Sequence, residues 1–222
     1  MFKQGFTLAE VLITLGLIGV VSALTLPGLL TDTTSAQIGP RLAKARTTFE
    51  QANQALLHES NVDGITTAFS TINTNSSGYT NALTDYMKAT SGISYSGATY
   101  TSITDFPDIP AEATKGRILL TDGSMFVVAP LSEISCAGIR PHQCMIGAVY
   151  VDISGQNPPN VAGTDLFAFS LWNDGSLRPV GGGGWMPGGA LWGTQCPIGA
   201  APTNPLYCSG HVFENELKVL YN

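Results

Sequence analysis

The sequence predicts an α+β protein in which a long amino-terminal hydrophobic α-helix packs on an antiparallel β-sheet head that has disulfide-stabilised carboxyl-terminal loops. Three observations predict this class. Residues 6–27 form a nearly uninterrupted apolar run, and residues 38–56 carry an apolar stripe at helical period. From residue 115 onward, short strand-like segments alternate with tight turns, and all four cysteines follow residue 135.

The apolar run Phe6–Pro27 is long enough to cross a bilayer. As a helix it would rise roughly 30 Å, about the thickness of the hydrocarbon core. An ordinary secretory signal has a shorter apolar core, a more basic start and a small-x-small cleavage site after the core. Ser22-Ala23-Leu24 is a poor cleavage site, and the run continues past it. The run therefore predicts a membrane-spanning helix.

A single charge, Glu10, lies near the start of this run. A carboxylate inside a bilayer costs several kcal/mol, so it needs a partner and indicates a function. No Lys, Arg or His lies between Lys3 and Arg41, so the helix itself offers no cation. The alternative is a signal anchor that tolerates an acid near the membrane interface.

The segment Gly5-Phe6-Thr7-Leu8-Ala9-Glu10-Val11-Leu12-Ile13 closely resembles the processing site of type IV prepilins and type II secretion pseudopilins. The resemblance implies cleavage by a prepilin peptidase between Gly5 and Phe6, followed by N-methylation of Phe6. Counted from Phe6, Glu10 is the fifth residue and Pro27 the twenty-second, where the family usually has Glu and Pro. It also implies that the amine of Phe6, on a neighbouring subunit of a filament, is the cationic partner of Glu10.

On this resemblance the chain divides into four parts: a leader at 1–5, a transmembrane and filament-core helix at 6–27, an amphipathic helix at 28–59 that continues into the head, and a pilin-like head at 60–222. Pro40 fits the first turn of a helix that starts nearby and would interrupt one that starts earlier. Whether residues 27–34 bend or melt a single long helix stays open. The apolar stripe of the second helix is formed by Ile38, Leu42, Ala45, Phe49, Ala52 and Leu56.

Residues 60–100 form a polar connecting region with weak helical patterns at 65–72 and 83–87. They occupy the place of the variable loop between helix and sheet in pilins. Hairpin then follows hairpin, so the sheet is predicted to be antiparallel, with one face on the long helix and the other wet. The predicted strands are Arg117–Thr121, Ser124–Ala129, Gly147–Ile153 and Leu166–Trp172, followed by Leu177–Val180 and a final amphipathic segment at His211–Tyr221.

The cysteines form two local pairs, Cys136 with Cys144 and Cys196 with Cys208. When an exported chain has an even number of cysteines, they usually form disulfide pairs. Of the three connectivities, we favour the two short loops, because each is flanked by turn formers and closes at little entropic cost. A zinc site is the alternative, but seven and eleven intervening residues fit no zinc knuckle well.

The loop after the third strand resembles a recurring pilin pattern, and in major pseudopilins a loop in this general place binds calcium. Asp152, Asn157, Asn160 and Asp165 offer the oxygen ligands that calcium prefers. In the alternative interpretation, Asp152, Asn160 and Asp165 bond to the backbone and shape a turn rich in Pro and Gly. No other cofactor is predicted.

Composition argues against two classes of function. Residues 47–222 contain six Lys and Arg against fourteen Asp and Glu, so direct nucleic-acid binding is not expected. His58, His142 and His211 are scattered, and no hydrolase or phosphate-binding motif accompanies them, so no enzyme is expected. Trp172, Trp185 and Trp192 could contact sugars or lipids if exposed, but packing is the more usual role.

The resemblance implies a structural subunit of a type IV pilus or type II secretion pseudopilus that is assembled through its amino-terminal helix. Its partners would be prepilin peptidase, other pilin or pseudopilin subunits, the inner-membrane assembly platform and, before assembly, the lipid bilayer. The expected location is the bacterial inner membrane, single-pass with the head outside the cytoplasm, and then a periplasmic pseudopilus or an extracellular pilus. The alternatives are a minor or tip subunit whose head binds a surface or secreted substrate, and a membrane-anchored enzyme.

Overall fold

The structure is a computed structural model that describes residues 7–70, 72, 76–89, 116–131, 136–155, 157, 161–182 and 196–217, apart from the side chains of 26–35. It divides into two compact units, Met1–Gln37 and Ile38–Asn222.

Four helices and five strands make up the described chain. The helices are α1 (Leu8–Ser60), α2 (Ile65–Ala68), α3 (Ser77–Thr84) and α4 (Cys208–Glu214). The strands are β1 (Gly116–Leu119), β2 (Met125–Pro130), β3 (Met145–Asp152), β4 (Leu166–Trp172) and β5 (Leu177–Pro179), and short 3-10 helices lie at Pro141–Gln143 and Pro205–Tyr207.

The backbone is helical throughout residues 27–34, where the sequence alone left a bend or a melted turn open. Pro40 lies deep inside α1 rather than in the first turn of a separate helix. Proline removes one hydrogen bond from a helix interior. Pro40 is exposed, so water can replace the bond that it cannot donate.

The five strands form one antiparallel sheet in the order β1-β2-β3-β4-β5. Each strand pairs with the next one along the chain, as expected for successive hairpins. The predicted Asp-Gly turn joins β1 to β2, and its Gly123 has φ +88°, a conformation that glycine adopts without strain. The predicted sheet is therefore confirmed, with strand ends that shift by one or two residues.

The predicted apolar stripe of α1 is buried against one face of this sheet. Leu42 and Phe49 are fully buried in the same cluster as Phe126, Val151 and Phe167. The rings of Phe49 and Phe126 have centroids 5.2 Å apart. Side chains three and four positions apart share a helix face, which explains why the stripe meets the sheet as a unit.

The expectation of a wet second sheet face is wrong. Val127, Tyr150 and Ala168 point to that face and are buried in a second apolar cluster. Leu206 and Val180, from the segments that follow β4, complete the cluster. The sheet is covered on both faces because its strands carry apolar side chains at consecutive positions, which no wet face would accept.

Two disulfides close loops beside the sheet. Cys136 is bonded to Cys144 and Cys196 to Cys208, with Cα atoms 5.7 and 5.3 Å apart. These are the two short loops that the sequence favours. After the second disulfide, helix α4 packs closely against the backbone at Gly182. A Cβ atom on Gly210 would lie 2.2 Å from the backbone nitrogen of Gly182.

A buried polar network joins α1 to two other elements. Asn53 donates from Nδ2 to the carbonyl oxygen of Gly175 at 3.0 Å and accepts at Oδ1 from the Tyr79 hydroxyl at 2.5 Å. Both side chains are fully buried. Burial raises the pKa of Tyr79 despite the hydrogen bond to Asn53, so the hydroxyl stays protonated and donates.

Replacing Tyr79 by Phe should lower the free energy of unfolding of the head by about 1–3 kcal/mol, because the buried Asn53 Oδ1 loses its donor. Urea unfolding of the full chain in detergent, followed by tryptophan fluorescence, measures this change. Tyr86→Phe is the matched control. It removes a hydroxyl that bonds to the exposed Glu59 carboxylate, so its effect should stay within about 0.5 kcal/mol. Equal effects of the two variants would contradict this account of the network.

Candidate functional site

The amino-terminal end of α1 holds Glu10 in a reciprocal arrangement with Thr7. Glu10 Oε2 accepts from the Thr7 backbone nitrogen at 2.8 Å and from the Thr7 hydroxyl at 2.9 Å. The Glu10 backbone nitrogen in turn donates to Thr7 Oγ1 at 3.3 Å. This is a capping box, which satisfies amide groups that the first turn of a helix leaves without a partner.

Thr7 is a residue that the sequence argument missed. An acid in an apolar run suggests a cationic partner, whereas the structure supplies neutral donors three residues upstream. The signal was present as the Thr-x-x-Glu spacing just before an apolar run, the usual sign of a capping box. The cationic partnership with the Phe6 amine stays a prediction, since Phe6 lies outside the described residues.

The helix that follows the capping box has an exposed apolar surface, and none of Leu8–Thr25 is buried by the residues that the structure describes. Leu8–Thr25 is the one described stretch whose length and composition would allow it to cross a membrane. Leu8 is 81% exposed and Ile13 70% exposed. A Cβ atom added to Gly16 or Gly19 would meet nothing within 4 Å, so this surface is open to a neighbouring helix.

The loop after β3 is shaped by two buried carboxylates. Asp152 Oδ1 accepts from the Ser154 nitrogen at 2.9 Å, the Ser154 hydroxyl oxygen lies 3.0 Å away, and the Gly155 nitrogen donates to it at 2.7 Å. Asp165 accepts from the Ser154 hydroxyl at Oδ2 and from the Val161 nitrogen at Oδ1, at 2.8 and 2.6 Å. Both acids therefore bond to the loop backbone, as the alternative interpretation of this loop requires.

The other two predicted calcium ligands, Asn157 and Asn160, give little support for a calcium site. The Asn157 amide donates to the Ser154 carbonyl oxygen at 3.2 Å, and Asn160 lies outside the described residues. Within the described ranges, no three His, Cys, Asp or Glu side chains come close enough to share a metal ion. Calcium takes six to eight oxygen ligands. The described oxygens form a poor fit to such a site, because they already accept hydrogen bonds from the loop.

Trp172 packs within the head. Its side chain is buried, its indole nitrogen donates to Ser170 Oγ at 3.0 Å, and the Arg178 guanidinium lies 3.7 Å from the ring centroid. Arg178 also donates to the carbonyl oxygen of His142 in the first disulfide loop at 2.6 Å. Trp185 and Trp192 lie outside the described residues.

The three histidines lie on separate elements. His58 is on α1, His142 in the first 3-10 helix and His211 on α4. Burial lowers the pKa of His211, against the opposing effect of its hydrogen bond to the Cys196 carbonyl oxygen. That carbonyl accepts from Nδ1 of the neutral ring at 2.9 Å, which assigns His211 a packing role beside the second disulfide.

Comparison with known proteins identifies the amino terminus. Residues 1–26 match the family model described as the prokaryotic N-terminal methylation motif. No curated protein and no solved structure gives a match to the chain. The motif implies processing by prepilin peptidase and assembly with other pilin subunits, and together with the apolar helix it fits a membrane-anchored pilin precursor. The chain therefore begins with the prepilin-type cleavage and methylation signature of type IV pilins and pseudopilins, which precedes an α+β head of pilin-like architecture.

Proposed function

We propose that this chain is a structural subunit of a type IV pilus or type II secretion pseudopilus. Prepilin peptidase cleaves it between Gly5 and Phe6, Phe6 is N-methylated, and the processed subunit leaves the inner membrane to pack by its α1 helix into a filament. The methylation motif at residues 1–26 carries the proposal. The exposed apolar surface of Leu8–Thr25 supports it, because that surface suits lipid before assembly and neighbouring helices afterwards.

In this scheme the capping box gives the Glu10 carboxylate an uncharged hydrogen-bond partner before assembly. Thr7 donates to Glu10 through groups that cleavage after Gly5 leaves in place. The carboxylate is therefore hydrogen-bonded both before and after processing. The amine that cleavage creates at Phe6 is a cation, and a charge-assisted bond to a neighbour's amine is stronger than a neutral one. Glu10 can then exchange the weaker partner for the stronger one during assembly.

A tip or minor subunit with a binding head is the second candidate. Each disulfide loop of the described chain presents one exposed isoleucine, Ile139 at 46% and Ile198 at 58% exposure. In this candidate function, these two side chains are the apolar contacts that the disulfide-closed loops would offer to a partner protein. The abundance of the chain in sheared filaments separates this function from that of a major subunit. The motif favours a structural subunit over an enzyme.

Substituting Val for Gly5 should block processing, because the prepilin-type signature places the cut directly after this glycine. The precursor should accumulate at its uncleaved mass, with Met1 or Phe2 as its first residue and no methyl group on Phe6. Mass spectrometry of the protein from its own host measures both. Gln4→Ala, one residue upstream, should be processed normally. Cleavage of the Gly5 variant after residue 5 would remove the basis of the proposal.

Replacing Glu10 by Ala should abolish entry into filaments while leaving cleavage intact, because the neighbour's amine loses its carboxylate. Thr7→Val removes only the hydroxyl of the capping box and should retain part of the assembly. Immunoblots of sheared filaments and of membrane fractions measure the ratio of assembled to unassembled subunit. Normal filament yield from the Glu10 variant would show that the amine partnership is wrong.

Calcium binding at the loop after β3 is a prediction from the sequence that the hydrogen bonds of Asp165 argue against. Since Asp165 bonds to Ser154 and Val161, we expect Asp165→Asn to lower the unfolding midpoint of the head equally with calcium and with chelator. Thermal unfolding of both proteins under both conditions tests this. A rise of the wild-type midpoint with calcium that Asp165→Asn loses would instead establish an ion site at these residues.

A further inference from the structure

The positive charges of the head concentrate at the start of its part of α1. Arg41, Lys44 and Arg46 lie within six residues, and no acid precedes Glu50 in this stretch. The remaining residues, 47–222, have six Lys and Arg against fourteen Asp and Glu. Arg46 is paired with Glu50 at 3.1 Å, so Arg41 and Lys44 make the beginning of this helical stretch the basic part of an acidic head.

Two of these cations line a cleft between α1 and the turn that joins β1 to β2. The cleft has a volume of about 120 Å³, and its polar lining comprises Arg41, Lys44, Thr48, Asp122 and Ser124. Lys44 Nζ lies 2.7 Å from Asp122 Oδ2. Asp122 Oδ1 accepts from the nitrogen and hydroxyl of Ser124 at 3.1 and 2.6 Å. We call this the Arg41 cleft.

The charges in the Arg41 cleft do not balance. Partial burial alone would raise the pKa of Asp122, but the bonds from Lys44 and Ser124 lower it to about 2, so the carboxylate is ionised. Asp122 thus neutralises one of the two cations. Within the described ranges, the exposed Arg41 side chain has no hydrogen bond or ion pair. One positive charge therefore faces outward, and a single carboxylate would complement it.

The other end of the same helical stretch carries several acids, with His58 in its last turn. The hydrogen bond to Glu59 raises the pKa of the Tyr86 hydroxyl, and the charges of Glu59 and Asp85 raise it further. Both acids therefore lie near the Tyr86 hydroxyl. Asp63 follows four residues after Glu59, is exposed and forms no ion pair with any described residue. Arg41 and Glu59 are eighteen positions apart on α1, about 27 Å at the rise of an α-helix.

A head that carries opposite charges at two distant places can bind a copy of itself head to tail. Such heterologous contacts do not close on themselves and generate open filaments. Resting on the proposed function, we propose that the Arg41 cleft receives the Asp63 carboxylate of a second copy of this chain. The ion pair sets the axial alignment of adjacent heads, in addition to the apolar packing of their amino-terminal helices.

Charge reversal in the full-length chain, expressed in its own host, tests the contact. Arg41→Glu and Asp63→Arg should each lower the yield of sheared filaments about tenfold or more, because like charges then face each other. The combined variant should recover to within about twofold of wild type. Arg140→Glu reverses an exposed arginine in the first disulfide loop and should leave the yield unchanged. A combined variant no better than either single one would overturn the proposal.

A cross-link tests the geometry independently. Arg41→Cys combined with Asp63→Cys should give disulfide-linked ladders of this chain in sheared filaments. The four native cysteines are already bonded to one another. An intramolecular bond is excluded, because Asp63 lies within about 14 Å of Glu59 and so stays more than about 10 Å from Arg41 in its own chain. Arg140→Cys with Asp63→Cys should give no ladder. Absence of the first ladder from filaments that do form would overturn the contact.

Other occupants of the cleft give distinct results. An adduct with a different protein would overturn the second copy as partner. Unchanged filament yield in Arg41→Glu, with reduced retention of the full chain on vesicles containing phosphatidylglycerol, would assign the cleft to an anionic lipid headgroup instead. If wild type and Arg140→Glu also fail to give filaments, the proposed function fails and the contact fails with it. Resistance of each variant to proteolysis confirms that the head is folded.

Discussion

The burial of one face of α1 against the sheet is the contact on which the rest of the head depends. Leu42 and Phe49 are fully buried there, and a large apolar side chain contributes about 1.5–3 kcal/mol on burial. Asn53 follows Phe49 by one helical turn and so lies on the same face, where it reaches the turn between β4 and β5. The polar network thus fixes the axial position of a helix that apolar packing alone would hold less specifically.

The second sheet face shows that Gly181 and Gly182, which follow β5, have a structural role. Ser209 donates from Oγ to the Ala168 carbonyl oxygen at 2.5 Å, and the Gly210 nitrogen donates to the Val180 carbonyl oxygen at 2.9 Å. Gly181 has φ +90° and lies so close to Tyr207 that a Cβ atom would collide with its carbonyl oxygen. Backbone meets backbone here, which only residues without side chains allow. The second disulfide then holds α4 at its first residue, Cys208.

Local patterns predicted most of the fold, and contacts between distant residues account for what they missed. The stripe from Ile38 to Leu56 and the strand order follow from periodicity and turns, which are local signals. The second buried face depends on Leu206 and Val180, whose return to the sheet has no local signature. At the amino-terminal site, Glu10 was conspicuous because it is charged in an apolar run. Thr7 was missed because its role appears only in its spacing to Glu10, and a threonine by itself is inconspicuous in this run.

The two proposed contacts differ in what they supply to an assembly. Apolar helices surrounded by lipid gain little from the hydrophobic effect when they pair, so their packing leaves axial register weakly determined. Charged pairs add modest affinity but penalise wrong registers, in which like charges meet or a carboxylate is left alone. Glu10 supplies such a charge within the apolar helix, and Arg41 supplies one on the head. A filament built from this chain would then take its cohesion from the apolar surface of Leu8–Thr25 and its register from a few charges, and increasing salt should weaken the exposed Arg41 contact before the desolvated Glu10 contact.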